Sequence, residues 1–278
     1  MPERTGHRSA VALASVYLLA GLIAGGADAA RSEDWAGYER LTRKQVIAAV
    51  AASSAAAPAA LTAKNLSSLD LATVDFKHAN LTASVLNRSV LRGASLAGCN
   101  LTVSFGEGAD FRQANLRDAE MFSMQLAGAD LRGADLTGAR FIGDMTHARL
   151  DGALLRNLRG GADMRNQSMG LINGRFGAAS LVEADLSAAD VSRADFSFAK
   201  LTRAKLVGAK LVRSDFSGAD LSGADLTDAD LRDSTFIDTD FTGAKLSGAR
   251  FEGSTWRNAR GIADAQARGA SGVPPTPP

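Results

Sequence analysis

The chain has little of the chemistry on which most enzymes rely. Its 278 residues include one cysteine and three histidines, and aromatic residues make up 6%. The single Cys99 excludes an internal disulfide framework and a cysteine-based zinc site. His78 and His147 lie far apart in the sequence and have no metal-ligand spacing. The sequence also lacks a G-x-S-x-G motif, a phosphate-binding loop and a dinucleotide fingerprint. We therefore expect no catalytic site, no metal site and no cofactor.

An excess of one charge is also missing. The 31 lysines and arginines nearly cancel the 30 aspartates and glutamates. No net field therefore steers the protein toward nucleic acid or an anionic membrane. What the sequence has in abundance is alanine, leucine and glycine, a bias that is typical of chains with internal repeats.

Residues 1–29 have the three parts of a secretory signal peptide. Arg4 and Arg8 form a basic n-region, an apolar stretch covers about residues 10–24, and the A-D-A sequence ending at Ala29 is a small-residue cleavage site. We predict cleavage after Ala29 and a periplasmic or secreted protein with no stable membrane insertion. The alternative is an uncleaved anchor, which is disfavoured because the apolar stretch is shorter than the ~20 residues that a bilayer span needs.

Residues 30–60 form a distinct segment of charged residues followed by an alanine-rich run. Thr42 and Gln45 have the spacing of a capping box, which predicts a helix from about Arg43 to Ala52 that ends before Pro58. The open end of a repeat array exposes apolar side chains, so we interpret this helix as an N-terminal cap. The alternative is a helix that binds a partner.

A large apolar residue recurs at every fifth position from Leu66, with a lapse at Gly106, and again from Phe176, where a small residue stands two positions before each one. A spacing of two places both residues on one side of an extended strand, and a period of five requires a turn after every unit. Glycine or a small polar residue commonly stands at these turns. After residue 175 the large positions are Phe176, Leu181, Leu186, Val191, Phe196, Leu201, Leu206, Leu211, Phe216, Leu221, Leu226, Leu231, Phe236, Phe241, Leu246, Phe251 and Trp256.

Units such as A-D-L-R-G at 129–133, A-D-L-S-G at 219–223 and A-D-L-T-D at 224–228 resemble the pentapeptide-repeat family. The resemblance covers about two thirds of the chain. It implies an all-β solenoid over residues 61–261, a right-handed quadrilateral β-helix with four units, or twenty residues, in each coil.

Two sequence patterns indicate a twenty-residue coil independently of the resemblance. The first is a series of aromatic residues at that interval: Phe176, Phe196, Phe216, Phe236 and Trp256. The second is a pair of outward series with alternating charge: Asp185, Lys205, Asp225 and Lys245, and Asp190, Lys210, Asp230 and Arg250. If coils stack at the strand spacing of about 4.8 Å, each charge lies beside two opposite charges, and a slip by one unit would spoil both series. We interpret the charges mainly as devices that specify register.

The five-residue register is irregular over residues 142–175, where Leu150 and Leu155 fall one residue early. Met164 and Met169 fall two early, and Phe176 restores the phase. Interruptions of a regular scaffold often carry function, so this region is our leading candidate contact region. Its candidate contact residues are Arg149, Arg156, Arg159 and Arg165. The alternative is a set of bulged coils or a surface loop without a role.

An acidic cluster in the later repeats is the second candidate. A cation site or a DNA-like patch is possible in principle, but a solvated surface explains aspartates that recur by repeat position. The cluster consists of Asp215, Asp220, Asp225, Asp228, Asp230, Asp233, Asp238 and Asp240, with Arg232 as its only base.

Residues 262–278, which end in a proline-rich sequence, are predicted to be a disordered tail.

These observations favour a non-enzymatic, exported scaffold or protein-interaction protein of the bacterial cell envelope. The expected partner is another protein, and nucleic acid is not expected. The alternative is a DNA-mimicking protein that binds topoisomerases, as some members of the family it resembles do. Those members have strongly acidic surfaces, whereas charges nearly cancel here. An enzyme is the third and least favoured hypothesis, because no catalytic motif is present.

Overall fold

The computed structural model describes residue 35 and residues 37–54, 56–160, 174–262 and 269–273. The predicted signal peptide, Met164, Arg165 and Met169 lie outside these residues. Within the described residues the chain forms a solenoid with one short helix near its N-terminal end. The regular elements are β1 (Glu39–Arg40), α1 (Arg43–Ala51), β2 (Lys64–Asn65), β3 (Glu120–Gln125), β4 (Arg140–Asp144), β5 (Thr235–Ile237) and β6 (Thr255–Arg257).

The strands are short because each flat side of the coil holds only a few extended residues before the chain turns. β1 pairs with β2, β3 with β4 and β5 with β6, always in parallel. The other rungs of the solenoid are single parallel bridges, such as Asp195 with Asp215, twenty residues later. The prediction of a right-handed quadrilateral β-helix is confirmed.

Most of the described units turn in the same way, as residues 216–219 show. The N–H of Ala219 donates to the carbonyl of Phe216 at 2.9 Å and closes a four-residue turn, in which Gly218 has a φ of 69°. A positive φ at this position is the requirement of a type II turn. The Asp215 carboxylate accepts a hydrogen bond from the N–H of Ser217 at 2.9 Å. Aspartate or asparagine therefore recurs before the large residue because its side chain fixes the turn that follows.

The large inward residues form four columns, which we call faces A to D in the order in which the chain visits them. Face A contains Leu66, Leu86, Gly106, Leu126, Met145, Phe176, Phe196, Phe216, Phe236 and Trp256. Face B contains Leu71, Leu91, Phe111, Leu131, Leu150, Leu181, Leu201, Leu221 and Phe241. Face C contains Phe76, Leu96, Leu116, Leu136, Leu155, Leu186, Leu206, Leu226 and Leu246. Face D contains Leu61, Leu81, Leu101, Met121, Phe141, Gly160, Val191, Leu211, Leu231 and Phe251.

The aromatic ladder on face A confirms the twenty-residue coil. The ring centroids of Phe176 and Phe196 lie 4.8 Å apart, and those of Phe196 and Phe216 lie 5.0 Å apart, with planes within 9° of parallel. The ladder continues to Phe236 at 5.5 Å and to Trp256 at 4.6 Å. The spacing of the rings therefore matches the spacing of strands in a sheet.

The irregular region consists of one deletion and one insertion. β4 has one residue fewer than β3, with which it pairs, so Leu150 and Leu155 enter faces B and C one residue early, as predicted. The insertion lies where the chain passes from face D to face A. Asp144 pairs with Arg175, 31 residues later, so the column of coils continues across the interruption.

The N-terminal helix closes the first coil. Thr42 and Gln45 form the predicted capping box, with the N–H of Thr42 donating to Gln45 Oε1 at 2.8 Å. α1 ends at Ala51, and its apolar residues Val46 and Val50 are buried against the core. The helix and its cap thus cover apolar side chains that the first coil would otherwise expose.

The segment before this helix covers the side of the solenoid as well. The rings of Trp35 and Phe105 lie 4.7 Å apart, although Phe105 occupies an outward position on face A. Val85, the outward residue one coil earlier, is fully buried. Outward apolar residues at these two positions are thus accommodated by an N-terminal segment that packs on the side of the column.

The C-terminal end differs from the predicted disordered tail at residues 269–273. The N–H of Phe251 donates to the carbonyl of Ser271 at 2.8 Å, and the N–H of Ser271 donates to the carbonyl of Ala249 at 3.0 Å. Ala270 and Val273 are buried against the core. Residues 269–273 therefore provide hydrogen-bond partners for backbone groups at the end of face D and cover apolar surface there. The composition of the tail did not indicate this packing.

Candidate functional site

The candidate arginines of the irregular region do not converge on one site. Arg149 precedes Leu150 on face B, Arg156 follows Leu155 on face C, and Arg159 precedes Gly160 on face D. Arg165 lies outside the described residues. The described arginines therefore point from three different sides of the coil.

Each of the described candidate arginines contacts another coil, and Arg149 Nη1 lies 4.0 Å from Asp130 Oδ2. Arg156 Nε donates to Asp185 Oδ2 at 2.7 Å, across the inserted segment. Arg159 donates to the Gly138 carbonyl at 3.1 Å and lies 3.8 Å from a carboxylate oxygen of Glu120.

Two further contacts join the coils on either side of the insertion. Arg175 donates to Asp144 at 2.9 Å, and Ser180 Oγ donates to Asp151. Because these contacts close the column on faces A and B, the described arginines hold coils together and do not form a shared binding site.

A more ordered set of arginines occurs on face B, and the sequence analysis missed it. Arg92, Arg112 and Arg132 follow the inward residues of three successive coils, and we call them the arginine ladder. Arg92 and Arg112 both contact the Asp110 carboxylate, at 3.1 and 2.7 Å. Arg132 contacts Asp130 at 2.6 Å, and Arg112 lies 3.7 Å from the same group. The arginines thus share the two carboxylates between successive coils.

Charge and hydrogen bonding set the protonation of these carboxylates. Hydrogen bonds from the Arg112 side chain lower the pKa of Asp110 well below its usual range, against an opposing effect of partial burial. The Arg132 side chain lowers the pKa of Asp130 in the same way. Both groups are therefore ionised at neutral pH and keep the guanidinium groups in place. The signal that could have found the ladder is the twenty-residue interval between its arginines.

The acidic cluster is spread over all four faces, and half of its aspartates form ion pairs. Asp230 makes two hydrogen bonds with the side chain of Arg232, at 2.7 and 2.8 Å. Four of the eight aspartates pair with bases of neighbouring coils: Asp225 with Lys245 at 3.1 Å, Asp230 with Arg250 at 2.7 Å, Asp233 with Arg213 at 3.5 Å and Asp240 with Arg260 at 3.1 Å. The arrangement disfavours a continuous anionic surface of the kind that imitates DNA.

The predicted charge ladders are only half formed. Lys210 lies 3.8 Å from Asp190, but Lys205 makes no ion pair in the described part of the chain. The two aspartates on either side of Lys205 bind other bases, because Asp185 contacts Arg156 and Asp225 contacts Lys245. The expected register is confirmed, because Lys205 lies between Asp185 and Asp225 of the adjacent coils, but Lys205 forms no ion pair with either aspartate.

Redox and metal chemistry find no support among the described residues. They include no group of three or more histidine, cysteine, aspartate or glutamate side chains that could hold a metal ion. Burial raises the pKa of the Cys99 thiol to about 12, so the group is protonated at neutral pH and packs as a small apolar residue. Over the same described ranges, no helix has the length and apolar character to cross a bilayer.

Comparison with known proteins identifies the repeats. A model of the family described as pentapeptide repeats matches residues 65–102, 125–157, 179–218 and 214–253, with eight copies. A search of curated proteins found no match.

Several solved structures are similar to this chain. HetL, a pentapeptide repeat protein involved in heterocyst differentiation regulation in the cyanobacterium Nostoc sp. strain PCC 7120, is 27% identical over 73% of this chain and 82% of its own, with a TM-score of 0.25. A form of QnrB1, a plasmid-mediated fluoroquinolone resistance protein, is 21% identical over 73% of this chain and 94% of its own, with a TM-score of 0.37. A pentapeptide repeat protein of the Arabidopsis thaliana thylakoid lumen is 28% identical over 47% of this chain and 70% of its own, with a TM-score of 0.24. Because the family model matches more than half of the chain, and its segments coincide with the stacked five-residue units, the chain belongs to the pentapeptide repeat family.

Proposed function

We propose that this protein is a non-enzymatic, exported scaffold that binds another protein in the bacterial cell envelope. The observation that carries the proposal is the continuity of the column. Coils before and after the insertion are joined by backbone bridges and ion pairs, and both ends of the core have packed segments. Such a column presents an extended, rigid surface whose outward residues can vary without disturbing the core.

Export is proposed from the N-terminal sequence alone. The basic n-region, the apolar stretch and the A-D-A sequence ending at Ala29 form the pattern of a cleavable signal. A protein stabilised by packing without disulfide bonds suits this destination, because its fold does not depend on the redox state of the compartment.

Cell fractionation followed by N-terminal sequencing tests the export step. The expected result is a chain that begins at Ala30 in the periplasmic or secreted fraction. A variant with Ala29→Arg, which replaces the small residue at the cleavage site, should accumulate uncleaved. Intact protein that begins at Met1 and remains in the cytosol would refute export.

Chemical cross-linking in intact cells, followed by purification of the mature chain, tests the interaction step. The expected result is one stoichiometric protein partner that is recovered at physiological ionic strength and lost from a strain that lacks the chain. The mature protein recovered alone from every fraction would contradict the scaffold function.

The alternative, a DNA-mimicking protein that binds topoisomerases, has less support. A DNA mimic needs a continuous anionic surface, whereas four of the eight clustered aspartates pair with bases from neighbouring coils. A supercoiling assay with purified gyrase and the mature chain decides between the two. We expect no inhibition, and inhibition at stoichiometric concentration would favour the alternative.

A further inference from the structure

We propose that the outward side chains of residues 198–207, which we call the strip, bind an acidic segment of a partner protein. The inference rests on the interaction role proposed above and names the chemistry of the partner. Residues 196–214 contain no aspartate or glutamate, although the coils on either side are rich in them. We call this stretch the basic coil. It carries five bases: Lys200, Arg203, Lys205, Lys210 and Arg213.

Phe198 is the most exposed large apolar residue of the described chain, with 69% of its surface open to solvent. It also adopts a φ of 57°, in the left-handed region that side chains rarely occupy. A Cβ added to Gly218, one coil later, would lie 2.6 Å from Phe198 Cδ1, so the ring rests directly on that glycine. The ring therefore packs against the backbone of Gly218 while most of its surface remains in solvent, which costs solvation free energy.

Val207 lies at the other end of the same strip, nine residues along the coil, and is 38% exposed. The other exposed large apolar side chain of the described residues is Ile47, on the cap helix. Both exposed apolar residues of the solenoid thus belong to the basic coil. Elsewhere in the described column, large apolar side chains point inward or, like Val85, are at least partly covered.

Two lysines between these apolar residues make no ion pair in the part of the chain that the structure describes. Lys200 lies on face B and Lys205 on face C. Asp220, beside Lys200, accepts a hydrogen bond from Thr202 at 2.8 Å, and Asp225, beside Lys205, contacts Lys245 at 3.1 Å. The carboxylates that could have paired with the two lysines are therefore engaged by other groups.

The corner between the two lysines is also basic. Arg203 occupies it and contacts Glu183 of the preceding coil at 2.8 Å. The strip therefore runs from an aromatic ring through two unpaired ammonium groups and a guanidinium to a second apolar residue. Ammonium groups without internal carboxylates are complementary to the carboxylates of a partner.

The apolar ends of the strip favour a protein over other anionic partners. A polyanion such as DNA would engage the bases but would leave Phe198 and Val207 exposed. An acidic segment with apolar or aromatic residues can cover both kinds of group at once. A fixed aromatic side chain is also the kind of residue that contributes most to protein interfaces, because little conformational entropy is lost when it binds.

Isothermal titration with defined polymers tests the proposal on the full mature chain. The probes are a random copolymer of glutamate and tyrosine, polyglutamate, duplex DNA, and vesicles of anionic phospholipid, each at low and at physiological ionic strength. We expect the glutamate and tyrosine copolymer to bind best, and its affinity to fall roughly tenfold in a Lys200→Gln, Lys205→Gln double variant.

Phe198→Ser should weaken binding of the copolymer more than binding of polyglutamate, because only the copolymer offers groups that cover the ring. Two control variants match the test variants: one removes the same number of positive charges, and the other replaces an exposed apolar residue with serine. Lys44→Gln with Lys77→Gln removes two exposed positive charges that lie outside the basic coil, and Ile47→Ser removes the exposed apolar residue of the cap helix. Neither control should change the affinity for the copolymer.

Equal losses in test and control variants would overturn the proposal, and so would failure of the copolymer to bind. Preferential binding of DNA would assign the strip to nucleic acid, and preferential binding of vesicles would assign it to a membrane surface; either result also overturns it. Export and partner recovery are measured separately. A chain that is exported and recovered with a partner but does not bind the copolymer contradicts this inference alone. A cytosolic chain that binds the copolymer contradicts the proposed function alone.

Discussion

The ring of Phe216 stacks on the ring of Phe196 with centroids 5.0 Å apart and planes 6° from parallel, although twenty residues separate them. The next member of the ladder, Phe236, stacks on Phe216 at 5.5 Å. All three side chains are fully buried. One face of the column therefore depends on a continuous stack of aromatic side chains, and each of them contacts the next.

Phe216→Ala should reduce the free energy of unfolding by ~3–5 kcal/mol, because it leaves a cavity between two aromatic neighbours. Combining it with Phe236→Ala should give a loss that differs from the sum of the single losses, since the two residues share that cavity. Leu226 lies on the opposite face, so Phe216→Ala with Leu226→Ala should be closer to additive. Urea denaturation of the single and double variants measures these couplings. Equal coupling in the two pairs would contradict the assignment of faces.

The small inward positions should be less tolerant than the outward ones. Ala224 is fully buried between face B and face C, so Ala224→Leu overfills a narrow column and should cost roughly 1–3 kcal/mol or more. Asp225→Ala removes an outward carboxylate that pairs with Lys245 and should cost about 1 kcal/mol or less. Thermal melts of the two variants provide the comparison. Similar losses would mean that inward and outward positions have been exchanged.

Much of this architecture could be predicted because each coil repeats the same local rules. The spacing of two within a unit, the turn after every unit and the aromatic interval together predict which residues point inward. Pairing between outward charges could not be predicted in the same way, because several bases compete for one carboxylate. Lys205 has an aspartate in the coil on either side, yet Arg156 and Lys245 bind those groups instead.

The packing of the chain ends could not be predicted from the repeat pattern either. Trp35 contacts Phe105 across several coils, and Ser271 joins the edge of face D after a stretch with no repeat. Neither contact is local, and neither has a periodic signal. The arginine ladder is a different case, since its twenty-residue interval is visible in the sequence once the coil length is known.

Low pH should reduce the stability of the fold, because it protonates the carboxylates that the arginine ladder binds. The pKa values of Asp110 and Asp130 are lowered in the folded state, so their contribution to stability is present above the usual aspartate pKa of 3.8 and is lost as pH falls below it. We expect the urea concentration at the midpoint of unfolding to decrease as the pH is lowered from about 4 to about 2. An Asp110→Asn, Asp130→Asn variant should lose less over that interval, because it no longer has these carboxylates to protonate. Parallel pH profiles for the two proteins would contradict this role of the ladder.

The inserted segment should be dispensable for folding. The N–H of Gly160 donates to the Asp190 carbonyl and the N–H of Asp195 donates to the Gly174 carbonyl, so the backbone pairs on both sides of it. A regular coil has two residues where residues 161–173 stand. Replacing those thirteen residues with Asn-Gly should leave the melting temperature within a few degrees of the parent value, because the described backbone bonds of Gly160 and Gly174 do not involve the segment. A scrambled segment of the original length is the control, and a collapse of the melting temperature in the shortened variant alone would show that the segment is part of the core.

Disulfide trapping across the insertion tests most directly whether the chain is one continuous column. Asp144 and Arg175 are neighbours in adjacent coils although they are 31 positions apart in the sequence, so in a Cys99→Ser background Asp144→Cys and Arg175→Cys should form a disulfide bond. The control pair, Asp144→Cys with Asp195→Cys, spans two coils, about 9.6 Å at the strand spacing, which exceeds the reach of a disulfide. The account predicts rapid cross-linking of the first pair and none of the second, as measured by mass spectrometry of non-reduced peptides. Failure of the first pair to cross-link in folded protein, or equal cross-linking of both pairs, would contradict the continuous column.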